Sequence, residues 1–259
     1  MACGDPLPIV LHHGLFGFGE VRLGKLRLSY FHGIDRALAG LGHPVIVPRV
    51  HPTGSIQRRA GQLKQMILRR LELLGRARQR VIILAHSLGG LDSRYMLTHL
   101  GMADRVAALV TICTPHHGSP YADWCLRNLG RRMGAWQLAR TLKLDLEGIR
   151  DLTCPSCRRF NNHTPDQTQV RYYSVSAARP RWLVPPMFYH SHKIVGEVQG
   201  DNDGLVSVQS ACWGQHLATW PVDHLHAVNR RLLPRALCEA RDMMPRYLEI
   251  IRQIKSEMC

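Results

Sequence analysis

Ser87 stands in Ala85-His86-Ser87-Leu88-Gly89-Gly90, directly after the apolar run Val81-Ile82-Ile83-Leu84. A serine hydroxyl becomes a useful nucleophile when a base can take its proton and a tight strand-to-helix turn presents it clear of its neighbours. Such a turn leaves room only for small residues two positions to either side. Gly89 meets that requirement, and Ala85 meets it with a methyl group where glycine is more usual. The expected chemistry is acyl transfer, which also needs donors for a developing oxyanion. The backbone N–H of Leu88, next after the serine, is one candidate. The other should come from a loop after an earlier strand. His13-Gly14-Leu15-Phe16-Gly17 is such a loop, with the N–H of Leu15 as the donor.

A base and an acid to orient it should follow further along the chain. Gly200-Asp201-Asn202-Asp203-Gly204-Leu205-Val206-Ser207 reads as an acidic turn opening a β-like run, with Asp203 at its tip. His216, His224 and His226 lie beyond it. In a chain with 15 histidines, order alone does not choose among them.

The elements that must position these groups alternate in type. Pro8 to Leu11, Val45 to Pro48, Val81 to Leu84, Ala107 to Ile112 and Val170 to Val175 are short apolar or β-rich runs. Ser55 to Leu74 carries apolar residues at helical spacing, and Gly90 to Leu100 continues from the third run as a helix. Buried strands alternating with helices predict an α/β fold, a mostly parallel central sheet with helices on both faces. Residues 121–160 interrupt the rhythm with a Trp-, Leu- and Arg-rich stretch, read as helices inserted between strands, either core packing or a lid. A last amphipathic helix is expected from Pro234 to Ile254.

The 259 residues fit one domain over 1–259, and 45% hydrophobic with 20% charged residues is ordinary globular composition. Lys and Arg number 34 against 19 acidic residues, a net +15. The basic residues are dispersed and not interleaved with aromatics, which argues against nucleic acid and leaves an anionic lipid interface as the partner such charge would favour. Eight cysteines show no disulfide spacing. Cys154-Pro155-Ser156-Cys157 lacks two further zinc ligands and reads as a pair of buried or disulfide-capable thiols. With no signal-like N-terminus and no apolar run of about 18 residues, a cytoplasmic protein is expected, or a secreted one if a leader has been removed.

Six blocks taken together are more specific than any one of them. Pro8 to Phe18 (PIVLHHGLFGF), Val81 to Gly90, Thr111 to Ser119 (TICTPHHGS), Phe160-Asn161, Gly200 to Ser207 and Asp223 to Asn229 (DHLHAVN) resemble, in order, the bacterial triacylglycerol lipases of the Pseudomonas and Burkholderia type. The resemblance implies an α/β-hydrolase fold with a helical lid and a lipid or ester substrate. It makes Ser87 the nucleophile, Asp203 the acid, His224 the base, and Leu15 and Leu88 the oxyanion donors, with Asp201 the competing acid. The expected activity is that of a lipase on acylglycerols. A short-chain esterase or phospholipase is the alternative, and a non-catalytic lipid-binding relative stands as a different class. One departure concerns a cofactor. The family holds a structural calcium through an Asp two residues after the catalytic His and a Gln four further on; here those places are His226 and Arg230. Neither suits a hard cation that prefers oxygen, so no calcium site, no other metal and no cofactor is expected.

Overall fold

A computed structural model describes residues 6–17, 20–23, 26–131, 147–232 and 242–258. Its frame is a six-stranded parallel sheet in the order β4-β1-β5-β6-β7-β8. The strands are β1 (Ile9–His12), β4 (Val45–Ile46), β5 (Val81–His86), β6 (Val106–Ile112), β7 (Arg171–Ala177) and β8 (Gln215–Trp220). β2 (Glu20–Leu23) and β3 (Leu26–Ser29) form a separate antiparallel pair.

Alternation along each central strand builds two cores. Ile9, Leu11, Ile82, Leu84, Ala108 and Val110 face one side, where α1 (Ile34–Gly40) and α9 (Met244–Met258) cover them. Val10, Val81, Ile83, Ala85 and Leu109 face the other, under α2 (Ile56–Leu73) and α3 (Leu88–His99). Every residue of β1, β5 and β6 is buried. This explains why these three strands read as continuous apolar runs rather than alternating ones.

Between β6 and β7 lie α4 (Pro120–Arg131), α5 (Glu147–Asp151) and α6 (Cys154–His163), so the described part of 121–160 is helical. The expectation for 132–146, and that for the first residues of the helix read from Pro234, fall outside the described residues. One reading needs correction, and one strand has no counterpart among the expected runs. The expected β-like run at Leu205–Ser207 is not a strand: Asp203 Oδ1 accepts the N–H groups of Leu205 and Val206, and Ser207 caps α8 (Val208–Ala211) through the N–H of Ser210. β8 carries no apolar run in the sequence, because only Trp220 of its six residues is buried. α7 (Tyr189–Gln199) precedes the Asp203 turn. No helix among the described residues is long and apolar enough to cross a membrane.

Candidate active site

In a parallel sheet the loops after the strands collect at one edge, where ligands usually sit. The β5–α3 turn, the β1 loop, the turn leading to α8 and the segment after β8 all meet there. Ser87 is the turn residue, with φ 55° and ψ −130°. A non-glycine residue at positive φ is strained and persists only where its surroundings impose it. Here the Ser87 N–H donates to Ile112 O (2.9 Å) and Thr114 Oγ1 donates to Ser87 O (2.8 Å). Gly14 lets the β1 loop come close, since a Cβ there would lie 2.7 Å from Ser87 Cβ. A Cβ at Gly89 would lie 2.9 Å from His13 O. Leu15 and Leu88 thus stand on two loops in contact, and neither amide N–H has an acceptor among the hydrogen bonds of the described residues.

Asp203 is fully buried and His224 nearly so. His224 Nδ1 lies 2.7 Å from Asp203 Oδ2, and the His224 N–H donates to Asp203 O (2.9 Å). Ser87 and His224 line the same cavity of about 390 Å³, a ligand-sized volume. Its remaining wall is mostly apolar: Leu15, Phe16, Met187, Phe188, Leu205 and Val206 among others, with Cys125, Ile149 and Leu152 supplied by the 121–160 insertion. Asp201 is exposed. His216 lies on β8 beside Ser174, Ser176 and Thr219. His226 is buried, and its N–H donates to Asp223 Oδ1 (3.0 Å).

Beneath the β1 loop is a support that the motifs did not announce. Arg59 donates from Nε to Asp92 Oδ2 (2.8 Å) and from Nη2 to His13 O (2.7 Å), while His12 Nε2 lies 2.9 Å from the same Asp92 oxygen. All three side chains are completely buried. One of them left a signal in the sequence: Arg59 is a cation on the apolar stripe of α2, although its partners are set only by packing.

Burial holds the imidazoles of His12, His86 and His116 well below 6.5, and pushes that of His13 down to about 3. The folded protein keeps these rings neutral, whereas the unfolded chain protonates them below 6.5. Their contribution to stability is therefore present above 6.5 and lost as pH falls. Asp92 opposes them: burial raises it to about 6, outweighing the attraction of Arg59, so its contribution is lost as pH rises toward 6. Burial likewise raises Asp151 and Asp223, and it lowers His43, His117 and His216, so the lowered histidines outnumber the raised carboxylates. Stability should fall between pH 6.5 and 4 by about 1.4 kcal/mol per pH unit for each net proton taken up on unfolding. Thermal unfolding across that range checks this, and a flat profile would contradict it.

His86, Cys113 and His224 have ligand atoms within 4.8 Å of one another. Their hydrogen bonds argue against a metal: His86 is bonded at both ring nitrogens, His224 Nδ1 at Asp203, and burial raises the Cys113 thiol far above its usual range. Cys154 and Cys157 are free thiols, both pushed up to about 12 chiefly by burial, which disfavours the reactive thiolate.

A family model, the PGAP1-like alpha/beta domain, matches residues 51–200, a span that contains Ser87 but stops short of Asp203 and His224. The chain is 31% identical over 211 residues to triacylglycerol lipase 2 of Saccharomyces cerevisiae, covering 79% of this chain and 63% of that protein. It thus spans less than two thirds of that relative's length. It is 28% identical over 281 residues to a triacylglycerol lipase of Vibrio cholerae, covering 96% of this chain and 87% of that one. The structure of Staphylococcus hyicus lipase superposes with a TM-score of 0.75 at 15% identity, over 99% of each chain. That likeness shows the α/β-hydrolase fold.

Proposed function

Since the chain belongs to the PGAP1-like alpha/beta domain family, as an α/β-hydrolase of the bacterial triacylglycerol lipase type, we propose that it hydrolyses carboxylic esters of lipids through Ser87, His224 and Asp203. The observation that carries the proposal is the Asp203–His224 hydrogen bond of 2.7 Å at an apolar cavity shared with Ser87. Asp203 holds the imidazole with its proton on Nδ1, leaving Nε2 to take the Ser87 proton as Oγ attacks the ester carbonyl. The N–H groups of Leu15 and Leu88 receive the oxyanion, each worth roughly 3–4 kcal/mol in comparable sites. The tetrahedral adduct collapses, the alkoxide leaves with the proton from His224, and water releases the acid by the same steps in reverse.

The substrate class rests on the cavity wall. Phe16 and Met187 are 62% and 68% exposed and also line the cavity, so its rim is apolar as well as its interior. A lipid surface suits that rim, and the net charge of +15 would favour an anionic one. Arg230, also in the cavity wall, favours a phospholipid as the second reading. Hydrolysis of p-nitrophenyl acetate, butyrate and palmitate, with and without an emulsion, separates the readings. Preference for palmitate with a gain at the interface is expected; preference for acetate without gain would leave a small-ester hydrolase.

Calcium, which the family resemblance brings into question, has no fitting donor set in our reading. The Asp223 carboxylate lies 3.6 Å from the buried Arg179 guanidinium and already accepts two backbone N–H groups. Arg230 donates to Tyr30 O and Ser29 O. A divalent cation there would face guanidinium and imidazole, with a single carboxylate already engaged by Arg179 and two backbone N–H groups. Treatment with EGTA should leave hydrolysis and the unfolding temperature unchanged, and loss of both on chelation, restored by added calcium, would overturn this.

A further inference from the structure

His86, the residue immediately before Ser87, ends β5 and is completely buried, yet no step of the proposed reaction uses its imidazole. Its Nε2 lies 3.0 Å from the backbone carbonyl of His224, and its Nδ1 lies 2.9 Å from the hydroxyl of Tyr30. A carbonyl only accepts, so Nε2 carries the proton and donates, and Nδ1 accepts from Tyr30. Both contacts are satisfied by one neutral tautomer. The His86 and His224 ring centroids are 4.5 Å apart.

We infer that His86 is a positioning residue that, held by Tyr30, fixes the backbone of His224 and so sets the approach of the base to Ser87. The inference rests on the hydrolase reading above. His224 lies in a segment without regular strand or helix, and three hydrogen bonds among the described residues hold it. Its N–H donates to Asp203 O, its ring is bonded to Asp203 Oδ2, and its carbonyl accepts from His86. Only the last of these ties the segment to the strand that carries the nucleophile. Tyr30 extends the tie, since its ring lies against that of His13 at the start of the oxyanion loop, with centroids 5.7 Å apart. Burial keeps His86 neutral, so when His224 gains a proton during acylation no second cation stands beside it. A charged ring at that separation would oppose the step.

Three variants test this: His86→Phe keeps a ring without a donor, His86→Gln replaces Nε2–H with an amide N–H, and Tyr30→Phe removes one hydroxyl. With folding checked by circular dichroism, His86→Phe should lower kcat about 10- to 100-fold with little change in KM, the loss expected of a small misplacement. His86→Gln should restore most of it, and Tyr30→Phe should fall between. A His86→Phe variant with wild-type kcat, or a folded His86→Gln as slow as His86→Phe, would overturn the inference. The downfield ring proton of His224 Nδ1 gives a reading independent of turnover. It should be sharp in wild type and His86→Gln and broadened in His86→Phe; no broadening would likewise overturn it. If a fluorophosphonate probe never labels the wild type, the hydrolase reading fails, while the proton resonance still decides the positioning.

Discussion

Ser87→Ala should abolish ester hydrolysis and fluorophosphonate labelling, with kcat falling on the order of 10⁵- to 10⁶-fold, because nucleophile, base and acid act as a unit. The residual rate would come from binding and the oxyanion donors. The folded state should survive the change. Although Ser87 occupies the N-cap position of α3, its hydroxyl makes no capping hydrogen bond, so its removal takes no structural bond away. This is what separates a serine kept for chemistry from one kept for a turn. Ser87→Gly sharpens the contrast, since relief of the strained φ of 55° is worth of order 1 kcal/mol. A protein that is inactive and at least as stable as wild type is the expected pairing. A variant that retains hydrolysis would remove Ser87 from the mechanism, and a wild type that is never labelled would favour a lipid-binding relative.

Asp203→Asn should lower kcat by about 10⁴-fold with KM little affected, for a reason that lies in the geometry of one carboxylate. Asp203 Oδ1 is held by the N–H groups of Leu205 (2.9 Å) and Val206 (2.8 Å), while Oδ2 faces His224 Nδ1. In an asparagine the carbonyl oxygen must stay with those two donors, which turns the NH₂ group toward His224. The imidazole then has to accept at Nδ1 and carry its proton on Nε2, where it cannot take one from Ser87. Asp201→Asn is the control: Asp201 is exposed, and no change in kcat is expected. Equal losses in the two variants would mean that the acid had been assigned to the wrong position. Near-wild-type kcat in Asp203→Asn would mean that this geometry does not control the tautomer.

Much of the frame could be read from residue order because its signals are local. The unbroken apolar runs of β1, β5 and β6 mark strands buried on both faces, and the apolar stripe of α2 marks the side laid on the sheet. The small residues around Ser87 mark a turn with no room for side chains. The exposed edge strand β8 has no such signature. The run after Asp203 misled because side-chain caps at Asp203 and Ser207, rather than β-propensity, set its backbone.

For the site, residue types and spacing were enough to single out Ser87, the two glycine-rich loops and the acidic turn, since each is a short segment whose backbone demands are met by its own residues. Which histidine faces the acidic turn was not decidable in that way. His216 and His224 are eight positions apart, yet one lies on an edge strand and the other 2.7 Å from Asp203. The buried Arg59–Asp92–His12 support and the tie from Tyr30 through His86 to His224 likewise join residues 33 to 138 positions apart. Hydrogen bonds of that reach depend on how the strand ends converge at one edge of the sheet. Local sequence specifies which groups are present in each segment; the packing of the sheet and its helices brings them within bonding distance.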